Sequence, residues 1–69
     1  DGSELVRLNI YNILGKKVST LLNNVVNPGQ HTLEWNAKDN DGNPVASGIY
    51  FYELSSPSFI SRKKMLLIR

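Results

Sequence analysis

The chain contains no cysteine, so neither a disulfide framework nor a thiolate metal site can staple it. It has a single histidine, His31, and a single tryptophan, Trp35. With one imidazole and no thiol, any nucleophile–base pair would have to be built around His31 alone, which leaves catalysis little to stand on. No enzymatic activity and no cofactor are expected. There is no Asn-x-Ser/Thr sequon, and no apolar run approaches the ~20 residues of a membrane-spanning helix. Acidic residues are missing altogether after Glu53, whereas Arg62, Lys63, Lys64 and Arg69 all fall in that stretch. The basic end is read as a solvated strand whose cations flank an apolar run, as edge strands often show. The aromatic-plus-basic stripe of a single-strand nucleic-acid binder is absent, so no nucleic-acid partner is expected.

What is present is an ordinary folding composition, 41% hydrophobic and 20% charged over 69 residues. A domain this small buries only about 60% of the surface its unfolded chain exposes, so its core is thin. The polar start, Asp1 to Glu4, reads as the end of a linker. The chain is therefore expected to be a piece of something longer, with one domain over residues 5–69.

Leu5 to Tyr11 alternates, with Val6, Leu8 and Ile10 on one face and Arg7 and Asn9 on the other. This is the period of a half-buried strand. Asn12 to Gly15 has turn chemistry, with Gly15 free to take a positive φ. Lys16 to Val26 is ambiguous. Val18, Leu21, Leu22 and Val25 fit a helix, while Val18, Thr20 and Leu22 fit a strand; shortness and the absence of a good N-cap favour the strand. Asn27-Pro28-Gly29-Gln30 is a type II turn signal, and His31, Leu33 and Trp35 then alternate as a further strand. In that phase His31 is read as a partly buried structural imidazole.

Asn36 to Ser47 is a polar loop. Its Asp39-Asn40-Asp41-Gly42-Asn43 run invites a calcium reading, but the glycine and the closing glutamate of an EF-hand loop are not at their positions, and turn formation accounts for the residues. Gly48 to Leu54 is the strongest strand, aromatic and β-branched. A connection at Ser55 to Ser58 leads to a last strand from about Phe59 to Ile68. Short strands separated by turn signals predict an all-β, antiparallel sandwich of the immunoglobulin type, reduced to about five to seven strands.

Three blocks, taken with the end of the chain, resemble a known family. They are Val6 to Val18, Pro28 to Trp35 and Val45 to Leu54, closed by Lys63-Lys64-Met65-Leu66-Leu67-Ile68-Arg69. Their order and spacing resemble the C-terminal sorting domain, type A, of type IX secretion cargo. The loop Asp39 to Pro44 is also similar to the related immunoglobulin-like domain of the flagellar hook-cap protein. The resemblance implies an immunoglobulin-like accessory domain of a secreted or cell-surface protein, reached through the periplasm. Its implied partners are an outer-membrane translocon, a sortase-like peptidase and an upstream passenger domain. Lys63, Lys64, Met65, Leu66, Leu67, Ile68 and Arg69 match the closing signal and are the expected recognition residues. Gly15, Gly29, Trp35, Gly48, Tyr50 and Leu54 match motif positions with a structural role.

Family members carry a further strand before the block that opens here at Val6. Leu5 to Tyr11 is accordingly expected to present an unpaired edge, a template for strand addition or a dimer. The alternative to a sorting role is a carbohydrate-binding or spacer module attached to an extracellular glycoside hydrolase. It would need at least one of Trp35, Tyr50 and Tyr52 on an exposed, flat face; core packing is the competing role for these rings.

Overall fold

The computed structural model describes residues 3–27 and 33–68. Among the described residues four strands form one antiparallel sheet: β1 (Glu4–Tyr11), β2 (Lys17–Val26), β3 (Gly48–Ser56) and β4 (Phe59–Leu67). Their spatial order is β2-β1-β3-β4. The chain is thus all-β and antiparallel, as its alternation predicts. It is a small immunoglobulin-like β domain that lacks strands, with four among the described residues where about five to seven are expected of the reduced sandwich.

Local chemistry explains where each strand begins and ends. Between β1 and β2 the Asn12 side chain accepts hydrogen bonds from the Leu14 and Lys16 amides at 2.9 and 3.0 Å. Asn12 N–H also donates to the Lys16 carbonyl, and Gly15 N–H to the Asn12 carbonyl. Gly15 sits at φ 82°, a conformation that a side chain resists. Between β3 and β4 the turn is Pro57-Ser58, with proline at the position whose φ it pre-sets. That short turn sets the whole β3–β4 register, from Ser56 opposite Phe59 to Gly48 opposite Leu67.

One sheet face carries Val6, Leu8 and Ile10 of β1, with Tyr50, Tyr52 and Leu54 of β3. Leu8 faces both Leu22 and Leu54, and Ile10 faces Ser19 and Tyr52. Ile10 and Tyr50 are the buried apolar side chains among the described residues, 2% and 7% exposed. The 33–47 connection covers this part of the face. Trp35 packs edge-on against Tyr50, with ring centroids 5.2 Å apart, and the Tyr50 hydroxyl donates to the Ala46 carbonyl at 2.7 Å.

Two expectations are corrected. β1 is an interior strand, paired with β2 on one side and β3 on the other, so Leu5 to Tyr11 is no open edge. The edges are β2 and β4. Leu33 to Asn36 lies outside any strand; Trp35 is held by its indole N–H, which donates to the Lys38 carbonyl at 2.9 Å. His31 and the Pro28-Gly29-Gln30 turn lie outside the described residues.

The Asp39 to Asn43 loop is a side-chain-stabilised turn. One Asp39 carboxylate oxygen accepts from the Asp41 and Asn43 amides, both at 2.9 Å, and Gly42 takes φ 85°. The loop presents Asn40 to the outer edge of β2. Asn40 N–H donates to the Val18 carbonyl at 3.1 Å, and its side-chain oxygen accepts from the Thr20 amide at 3.0 Å. Asn40→Ala should cost about 0.5–1.5 kcal/mol, the net value of one hydrogen bond. Urea unfolding measures it; an unchanged midpoint would mean that the loop does not brace this edge.

Candidate functional site

Five of the seven residues singled out for recognition, Lys63 to Leu67, lie on β4, and its period of two divides them between the faces. Lys63, Met65 and Leu67 stand opposite Tyr52, Tyr50 and Gly48, on the core face. Lys64 and Leu66 stand opposite Phe51 and Ile49, on the other. Met65 and Leu67 are half-buried, while Leu66 is 66% exposed and Ile68, just past the strand, 80%. Arg69 lies outside the described residues. The apolar end of the chain therefore does two jobs: one side chain of each pair packs on the sheet, the next is presented to solvent.

The second face is polar at its centre. Thr20 Oγ1 donates to Asn9 Oδ1 at 2.8 Å. Across β3 the Arg62 guanidinium donates to Glu53 Oε2 through Nε at 3.2 Å and Nη2 at 2.7 Å. Arg62 also lies 5.4 Å from the centroid of the Tyr11 ring, a distance at which a cation is drawn to the aromatic face. Tyr11, Asn12, Ile13, Gly15, Phe51 and Arg62 line a shallow groove of about 190 Å³ at the β1–β2 turn. The Glu53–Arg62 pair was not singled out in the sequence, although folding the last two strands about Pro57-Ser58 would place them opposite one another.

The structural motif positions are distributed through the fold. Gly15 closes the first turn, and Gly48 opens β3 at φ 147°, where a side chain is strained although no atom stands in its way. Leu54 sits between Leu8 and Ser61. Trp35 and Tyr50 form the edge-on pair described above, their planes 70° apart, so the two rings offer no shared flat surface for a pyranose. Gly29 lies outside the described residues. Among the described residues no group of three histidine or carboxylate side chains converges as a metal site would require.

β4 forms one margin of the sheet and pairs, among the described residues, only with β3. Its outer row of backbone amides and carbonyls meets no other strand among the described residues. By contrast, the first half of the β2 margin is occupied by Asn40. What the arrangement can do chemically is hold an extended chain by backbone hydrogen bonds and select it by alternate side chains.

No curated protein and no solved structure matches the chain. The family model of the FlgD Ig-like domain matches residues 1–58, which spans β1 to β3 and ends at the β3–β4 turn. The chain belongs to the FlgD Ig-like domain family.

Proposed function

We propose that this domain is a C-terminal sorting signal, of the kind used by type IX secretion cargo, which directs an upstream passenger across the outer membrane to the cell surface. The observation that carries the reading is the position of β4. The strand bearing Lys63, Lys64, Met65, Leu66 and Leu67 is a sheet edge, and its apolar and basic side chains emerge on both faces. An address label needs a surface that a receptor can grip without unfolding the domain, and an edge strand meets that need. Membership in the FlgD Ig-like family supports the immunoglobulin-like relation on which the reading rests. The domain does no chemistry of its own in this role; the translocon and a sortase-like peptidase act on it.

The test is export of a fluorescent reporter joined to the start of the chain in a host with a working type IX system. The intact fusion is expected in the medium or on the cell surface, and the fusion lacking residues 63–69 inside the cell. Because that deletion also strips Gly48 to Tyr52 of their partners, a second variant keeps the sheet whole. Lys64→Glu with Leu66→Ser changes only exposed side chains and should abolish export while circular dichroism stays native. A folded, intact fusion that remains inside would overturn the sorting role.

A further inference from the structure

We infer that the outer edge of β4 takes up an extended peptide segment with acidic residues at its centre and apolar residues on either side, and that the same edge rejects a second copy of this domain. This deepens the sorting reading and rests on it for the partner's role in the cell. The recognition chemistry itself follows from the strand.

The bare margin of a sheet is a template for any extended chain, so side chains decide which chains are accepted. β4 carries three consecutive cations, Arg62, Lys63 and Lys64, at the middle of a nine-residue strand. Arg62 is already matched by Glu53 across the β3–β4 ladder. Lys63 and Lys64 form no ion pair among the described residues. They project from opposite faces of the sheet, so an added strand would meet one cation above it and one below. On either side stand Ile60 and Leu66, exposed on the same face as Lys64. A segment that presents acids to Lys63 and Lys64, and apolar side chains to Ile60 and Leu66, satisfies all four positions at once.

A second copy does the reverse. The midpoint of Phe59–Leu67 is Lys63, so a symmetric antiparallel pairing of two β4 strands over their full length sets Lys63 against its own counterpart. It also sets Arg62 of each chain against Lys64 of the other. Directly opposed side chains on adjacent strands have Cβ atoms about 4.5–5.5 Å apart, close enough for like charges to repel. The smallest slip that stops the cations facing one another pairs six residues, Arg62 to Leu67 or Phe59 to Lys64, and sets each cation opposite an uncharged side chain. Either pairing gives up three of the nine positions and leaves Lys63 and Lys64 of both copies with no countercharge.

The experiment uses the whole chain and two capped, dye-labelled nine-residue peptides. Each has valines alternating with threonines, and two central residues that are glutamate in one and lysine in the other. Fluorescence anisotropy should show the glutamate peptide binding about tenfold or more tightly than the lysine peptide, with the gap closing as salt is raised. Lys63→Glu with Lys64→Glu should invert the preference. Hydrogen exchange should show new amide protection along Phe59–Leu67 in the complex, which separates strand addition from loose charge attraction. Equal binding of the two peptides, a preference without new protection on β4, or a concentration-dependent dimer protected at β4 would each overturn the inference. The outcomes separate from those of the export test. Peptide selectivity without export leaves the edge chemistry standing and removes the sorting role. Export without peptide selectivity removes the edge inference and keeps the sorting role.

Discussion

Ile10→Ala is expected to lower the unfolding free energy by about 2–4 kcal/mol, with Ile10→Val costing about 0.5–1.5 kcal/mol. Ile10 is the largest fully buried side chain among the described residues. It stands on an interior strand, flanked by Ser19 on β2 and Tyr52 on β3. Truncation removes apolar area from the core and leaves a cavity that flanking strands, held by their ladders, can only partly close. A single core in a chain of this size rarely supplies more than ~3–5 kcal/mol. The alanine variant should therefore be largely unfolded at 37 °C, while the valine variant remains folded. Urea titration followed by circular dichroism distinguishes them. A shift below about 0.5 kcal/mol for alanine, the size of an ordinary surface substitution, would mean that the 33–47 connection does not seal this face.

Tyr50 provides the second large effect, and it separates into two parts. Tyr50→Phe keeps the ring against Trp35 but removes the donor to the Ala46 carbonyl, at a cost of about 1 kcal/mol. Tyr50→Ala also removes the buried ring and its edge-on partner contact, for about 3–5 kcal/mol in all, as for other buried aromatics cut to alanine. Trp35 is the chain's one tryptophan, so its emission reports directly on the change. In the alanine variant the spectrum should move to the red as the indole loses its cover; in the phenylalanine variant it should stay near the native position. An unshifted alanine spectrum with native stability would show that the 33–47 connection is anchored by something other than this pair.

Both effects follow from one architectural feature. A single four-stranded sheet has to bury one face, and here residues 33–47 are fastened against the sheet at identifiable points. The fastenings are Trp35 on Tyr50, Ala46 on the Tyr50 hydroxyl, and Asn40 on Val18 and Thr20. The Asn40 contacts also blunt one sheet margin. β4, by contrast, is an edge along its whole length among the described residues, with three cations at its middle.

The elements that depend on near neighbours were legible in the residues themselves. The alternation of Val6, Leu8 and Ile10 placed them on one face, because successive side chains of a strand point to opposite sides whatever lies next to it. Gly15 and Pro57 marked turns because their own backbone preferences decide local geometry. Gly48 to Leu54 declared itself a strand through aromatic and β-branched residues. The basic, apolar end declared itself by composition only as a strand with flanking cations; a recognition role for it is what the family resemblance implies.

β2 is where local reading reached its limit. Its apolar residues fit a helix nearly as well as a strand, and the ladder shows why: the register shifts between Leu8 and Asn9 and again between Ile10 and Tyr11. Leu21 and Val18 are the extra residues on β2 at those shifts, and a bulge breaks the period of two on which sequence reading depends. Trp35 illustrates a related failure. Alternation at Leu33 and Trp35 has the period of a strand, yet Leu33 to Asn36 joins none, and Trp35 is held by Lys38 and Tyr50 instead of by a ladder.

What the sequence by itself determined is therefore the strand class, the turns and the side chains that share a face, since all of these follow from backbone preference and period. Only the tertiary structure decided that β1 lies inside the sheet, that Asn40 braces the Val18–Thr20 end of the β2 margin, and that β4 is an edge along its whole length among the described residues. Those facts depend on which strands pair across long stretches of chain. Alternation records the face a residue occupies and carries no record of the neighbour its backbone will bond.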